Sequence, residues 1–211
     1  MKLKKLSGNQ LKILAALFMT IDHIGVMIFT QSEILRIIGR LSMPIFAYMI
    51  SEGAHYTKNR KKYLSVLIVM SAIIQITYYL VERSLDQCIL VTFSLSIMLI
   101  YIIDRKNIIL SLLALTACFY LTQVVNIDYG FFGIVLPLLI YLGENKTQKL
   151  ILMTSGLVLV SLTNSPIQWY SLLSVPLVAL YNGKRGKLRM KNFFYIYYPL
   201  HLLIIYFISI L

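Results

Sequence analysis

The chain is written in apolar runs of about 15 to 20 residues, the length a helix needs to cross hydrocarbon, split by short polar or basic breaks. Taken as spans, the runs fall near residues 11 to 29, 34 to 50, 63 to 81, 88 to 103, 108 to 125, 129 to 142, 148 to 163, 166 to 181 and 193 to 210. The pattern predicts an all-α, polytopic membrane helix bundle of about nine transmembrane helices. Residues 1–211 are expected to form a single domain, because the breaks are too short to house a water-soluble one. The run from 129 to 142 is short enough to be partly re-entrant. A basic start followed by an apolar stretch also describes a secretory signal peptide. Here the stretch is long, is interrupted by Asp22 and His23 and has no small-residue cleavage site, so a retained helix is expected.

Composition agrees, with 59% hydrophobic residues, but the net charge of +12 raises a second possibility, since excess Lys and Arg neutralise phosphates. The placement of the charges decides against nucleic acid. With the amino terminus in the cytoplasm, all of the 20 Lys and Arg except Arg36, Arg40 and Arg83 fall on the inner side. The inner segments carry Lys2, Lys4, Lys5 and Lys12, then Lys58, Arg60, Lys61 and Lys62, and then Arg105, Lys106, Lys146 and Lys149. A last group holds Lys184, Arg185, Lys187, Arg189 and Lys191. This asymmetry predicts a multi-pass protein of the cytoplasmic (inner) membrane, with the lipid bilayer as its partner and no nucleic acid. Cys88 and Cys118 give neither a structural disulfide nor metal-ligand spacing, so no metal is expected.

The chemistry lies where the apolar runs are interrupted. "IDHIG", residues 21 to 25, sets Asp22 and His23 near the middle of the first run. At a rise of about 1.5 Å per residue they lie roughly 16 and 18 Å from the inner boundary, Arg40 of the second run lies at roughly 20 Å, and His201 of the last at roughly 12 Å. Four titratable side chains from three helices therefore share one layer of the membrane. A charge at that depth needs a polar surrounding and a partner. Neighbours on a helix point about 100° apart, so Asp22 is not set to orient His23; its partner is expected to be Arg40 or His201 from another helix.

Other polar residues sit nearer the run ends. Glu52 and His55 close the second run in "SEGAH", where Gly53 permits close backbone approach and Glu52 can cap or pair with a basic neighbour. His55 reads as interfacial. The segment "NIDYGFFG" places Asp128 and Tyr129 before the sixth run, as a helix start or as a carboxylate beside an aromatic that suits an external amine. Gln75, Thr92 and Ser94 can line a cavity or bond between helices.

The blocks "LKILAALFMTIDHIG", "LRIIGRLSMPIFAYMISEGAHYTKNRKKYL", "DYGFFGIVLPLLIY" and "YIYYPLHLLIIY" resemble, in order and over nearly the whole chain, the signatures of the TraX family. That family is named for a conjugative-transfer protein implicated in amino-terminal acetylation of pilin. "VTFSLSIMLIY" departs from the family, where a block closer to "FTLALG" is expected, so the packing of the fourth helix lacks a glycine. The family is similar in organisation to larger membrane acyltransferases, which take acyl groups from cytosolic coenzyme A. The resemblance implies a membrane-bound acetyltransferase using acetyl-CoA as donor, a peptide, pilin-like or other amine as acceptor, and Asp22, His23, Arg40, Glu52, Asp128 and His201 as site residues.

Acyl transfer to an amine needs a base, which histidine supplies near neutrality, and a donor for the tetrahedral oxyanion. His23 is expected as the base, with His201 as competitor, Arg40 at the oxyanion and Asp22 positioning Arg40 or His201. Glu52, Asp128 and Tyr129 are expected to bind substrate. Arg60, Lys61 and Arg185 are placed to attract the phosphates of acetyl-CoA. A proton-coupled transporter or flippase relaying protons through Asp22, His23 and His201 is the alternative, weakened by the absence of paired halves. A binding or immunity protein with the same cavity is a third reading.

Overall fold

The computed structural model describes residues 5–83, 86–187 and 191–211. Lys2, Lys4 and Arg189 of the basic segments lie outside the described residues, as does the side chain of Lys191. In chain order the elements are α1 (Gly8–Met27), α2 (Glu33–Gly39), α3 (Ser42–Tyr56), α4 (Arg60–Glu82), α5 (Ile89–Ile103), α6 (Ile108–Val124), α7 (Gly130–Leu142) and α8 (Lys146–Thr163). A 3-10 helix (Pro166–Leu173), α9 (Ser174–Ala179) and α10 (Lys191–Ser209) follow. The fold is all-helical; among the described residues the only strand-like pairings are isolated bridges, Leu6 with Tyr181 and Gln87 with Ile127.

Helix starts follow local chemistry. Ser7 and Gln10 form a capping box on α1, and Asn59, Asn107 and Asn145 each accept an amide proton from the first turn of α4, α6 and α8. Two apolar runs do not form the single α-helices expected of them. The run from 34 to 50 is broken by a turn at Arg40 and Leu41, because Pro44 has no amide to return to the Arg40 carbonyl. The run from 166 to 181 is a 3-10 helix led by Pro166 and then a short α-helix, with Pro176 unable to bond back to Leu172. Among the described residues, three stretches are long and apolar enough to cross a membrane, Gly8–Met27, Glu33–Tyr56 and Arg60–Leu80, and α5, α6 and α7 are shorter apolar helices. Such helices suit a membrane protein.

Contacts divide the chain into two units, Met1–Met49 with Ser165–Leu211, and Ile50–Asn164. In the first, α1 packs on α2 and α10, and α2 packs on the 3-10 helix. Leu11, Ala15, Ile45 and Val178 are fully buried there. Helices α1 and α2 come very close: a β-carbon on Gly25 would lie 2.9 Å from that of Leu35, and one on Gly39 would collide with the Asp22 carboxyl. Ser42 ties the start of α3 to α1 by donating to the Ala15 carbonyl at 2.8 Å.

In the second unit α5 packs on α4, α6 and α7, and α7 packs on α8. Its core gathers Leu67, Ile97, Ile100, Ile134 and Leu138. The buried Ser96 hydroxyl lies 2.9 Å from the Thr92 carbonyl and 2.7 Å from that of Ile134, so a polar bridge ties α5 to α7. Cys88 and Cys118 are free.

Candidate active site

Asp22, His23, Arg40 and His201, assigned to one depth from the sequence, all belong to the first unit. Arg40 Nη2 donates to both carboxylate oxygens of Asp22 at 3.0 Å, and Arg36 Nη1 lies 2.9 Å from Oδ1. Arg36 and Arg40 are four residues apart and so share one face at the end of α2. Of the two partners expected for Asp22, the structure selects Arg40 and adds Arg36. Two guanidinium groups on one carboxylate leave a net positive charge in a site where the Arg40 side chain is 11% exposed and that of Asp22 18%. Arg40 Nη1 also donates to Gln168 Oε1 at 3.4 Å, from the 3-10 helix.

The two histidines meet beside this cluster. His23 Nδ1 lies 2.8 Å from the Met19 carbonyl, and His201 Nδ1 lies 3.0 Å from the Tyr197 carbonyl. A carbonyl only accepts, so in each neutral ring Nδ1 carries the proton and Nε2 is the basic nitrogen. His201 Nε2 lies 3.4 Å from His23 Nδ1, with ring centroids 5.0 Å apart and edge to face. The His23 N–H points to the Met19 carbonyl, and the His201 lone pair is a second, longer acceptor beside that proton, which would stabilise an imidazolium formed when His23 Nε2 takes up a proton. Tyr197 stacks on His201 with centroids 5.3 Å apart, and its hydroxyl bonds Thr20 of α1 at 2.5 Å. The Arg36 and Arg40 charges are within electrostatic reach of His23.

The second unit holds Glu52, Arg60, Lys61, Asp128 and Tyr129. Glu52 pairs with Lys149 at 2.6 Å, with both side chains about nine-tenths buried. This settles Glu52 as a paired residue rather than a cap. Lys149 counts in the sequence as a topology charge, yet a lysine in the first turn of a helix opposes the macrodipole, a sign that a specific partner holds it. Arg60 is paired with Asp104 at 2.5 Å and lies over the Tyr101 ring at 5.0 Å, while Tyr141 donates to the same carboxylate at 2.9 Å. Lys61 is exposed. His55 is exposed, its ring edge-on to Tyr141. Arg185, of the first unit, is also exposed; its carbonyl accepts from the Asn9 amide at 2.9 Å and so closes the start of α1.

Asp128 and Tyr129 line a cavity of about 570 Å³ with Asp86, Phe119, Phe131 and Asn164. Asp128 does not cap α7. The cap position is Tyr129, in the left-handed region at φ 62° with no side-chain cap bond. Thr92 donates to the Asp128 carbonyl at 2.7 Å, Ser94 bonds Ser71 at 3.2 Å, and Gln75 binds the Asp86 carbonyl and the Cys88 amide. These three polar residues therefore act as ties between segments.

Comparison with known proteins returns a family model described as TraX protein, matching residues 7–209. The chain is 26% identical to the "Probable fimbrial assembly protein FimC, serogroup H1" of Dichelobacter nodosus, over 93% of each chain. It is 30% identical to the "Uncharacterized protein RP591" of Rickettsia prowazekii (strain Madrid E), over 66% of this chain and 57% of that one. No solved structure matches.

Proposed function

The chain belongs to the TraX family, and from that premise we propose that it is an integral membrane acyltransferase moving an acetyl group from acetyl-CoA to an amine such as a peptide or pilin-like N-terminus. The observation that carries the reading is the meeting of an Asp22–Arg36–Arg40 ion cluster with a histidine pair of defined tautomer in one unit. In the reaction the amine attacks the thioester carbonyl while His23 Nε2 takes its proton. His201 Nε2, a second and longer acceptor beside the Met19 carbonyl, steadies the imidazolium. Arg40, held by Asp22, offers its positive charge to the oxyanion. Asp22 and His201 thus act as positioning residues.

The likeness to a protein described as a fimbrial assembly protein supports an acceptor of fimbrial kind. Asp128 and Tyr129, which line a cavity of carboxylate and aromatic groups, suit recognition of an amine. Lys61 and Arg185, both exposed, suit the phosphates of the donor better than Arg60, whose charge Asp104 already answers. The protein is further proposed to span the inner membrane about nine times with its amino terminus in the cytoplasm, a reading supported by the placement of its basic segments. The test is purified protein in lipid nanodiscs given radiolabelled acetyl-CoA and a panel of peptide amines. Free thiol released in step with labelled amide supports the reading. Absence of thiol release with every amine, alongside proton-coupled uptake in vesicles, would replace it with the transporter.

A further inference from the structure

Gln168 lies on the 3-10 helix and is 1% exposed. Arg40 offers only donors, so the amide oxygen of Gln168 must be the atom that faces it, at 3.4 Å. The other end of the amide is thereby fixed. Gln168 Nε2 is buried and has no hydrogen-bond partner among the described residues. Residues three apart on a 3-10 helix eclipse one another, so Ser171 stands on the same ridge. Ser171 is fully buried, and its hydroxyl likewise has no partner among the described residues. Trp169, Tyr170 and Leu173 of the same helix are exposed, so its polar ridge is turned inward.

A buried donor left without a partner costs stability, and beside a candidate reacting group a ligand oxygen is an occupant that would satisfy it. We propose that Gln168 is a further catalytic residue: its Nε2 donates, beside the Arg40 guanidinium, to the carbonyl oxygen of the acyl group in transfer, with the Ser171 hydroxyl as a second donor on that ridge. This rests on the acyl-transfer reading above. The amine lone pair forms the new C–N bond as the C=O electron pair moves onto oxygen, where Gln168 and Arg40 meet the negative charge. The oxyanion then collapses, the C–S bond breaks and sulfur leaves with the bonding pair. The amine proton passes to His23 Nε2 and on to sulfur, giving free thiol and amide.

Two substitutions separate this role from one in which Gln168 only steadies Arg40. Gln168→Glu keeps an oxygen for Arg40 but replaces the N–H donor with negative charge. Gln168→Met removes both at similar length. With acetyl-CoA and the best peptide amine, both are expected to lower kcat about 100- to 1,000-fold while KM for the thioester stays within about two-fold. Gln168→Met removes one buried unpaired donor but leaves Arg40 Nη1 without its acceptor, so its unfolding temperature should stay within a few degrees of the parent and the kcat loss is read on folded protein. A ketone analogue, with CH2 in place of the thioester sulfur, should show a lowered carbonyl stretch on the parent that returns toward its solution frequency on Gln168→Met. Parent turnover with kcat retained in Gln168→Glu would overturn the proposal alone, as would a carbonyl stretch identical on parent and variant. No turnover by the parent with any amine would overturn the acyl-transfer reading and this inference with it.

Discussion

Arg40→Lys preserves the charge at the centre of the site and removes its shape. Arg40 spreads its contacts over two nitrogens, with Nη2 at 3.0 Å from each Asp22 oxygen and Nη1 at 3.4 Å from Gln168. A lysine ammonium of comparable reach keeps one charge-assisted contact to Asp22 and cannot hold Gln168 from the same position. A charge-assisted hydrogen bond contributes about 1.5–3 kcal/mol. The Coulomb attraction to Asp22, of order 4 kcal/mol at 4 Å in a medium of effective dielectric near 20, is largely retained. The net loss expected in the transition state is therefore about one charge-assisted bond, which is about 10- to 150-fold in rate. The assay is thiol release from acetyl-CoA in nanodiscs, with thermal unfolding measured on the same samples. Arg36 still holds Asp22 at 2.9 Å, so the variant should remain folded. Equal rates for Lys and Arg at this position would refute the reasoning, because charge alone would then suffice.

Further outcomes follow from the same geometry. Gly39→Ala pushes a methyl group into the Asp22 carboxyl and should cost about 1–3 kcal/mol of stability with a loss of activity; an unchanged unfolding temperature and rate would mean that α1 and α2 yield freely there. Glu52→Gln leaves Lys149 buried without its counter-charge and should destabilise by about 3–5 kcal/mol, whereas Glu52→Leu with Lys149→Met should recover most of that loss. Additive effects in a double-mutant cycle of thermal unfolding would deny the pair.

Counting residues from the run boundaries groups Asp22, His23, Arg40 and His201 at one level because helical rise is regular, and the structure pairs Asp22 with Arg40 and His23 with His201 in one unit. Direction is harder than depth. Arg36 reads as an outer charge until its four-residue spacing from Arg40 is combined with the turn after Gly39. Gln168 was hidden for a different reason. Its run reads as a regular span, and the change to three residues per turn that aligns it with Ser171 follows from Pro166 and Pro176, whose effect on pitch the apolar pattern does not encode. Lys149 carries the sign that topology expects of an inner residue, so its burial against Glu52 depends on which helices are neighbours. Asp128 precedes a helix as a cap would, but the left-handed turn at Tyr129 moves the helix start one residue on.

The account stands most directly on His23, and the deciding measurement is single-turnover thiol release from acetyl-CoA by parent, His23→Ala and His201→Ala proteins, each first shown to be folded in nanodiscs. The geometry predicts a loss of about 100- to 10,000-fold for His23→Ala, with a smaller loss for His201→Ala. A folded His23→Ala protein that releases thiol at the parent rate would contradict it.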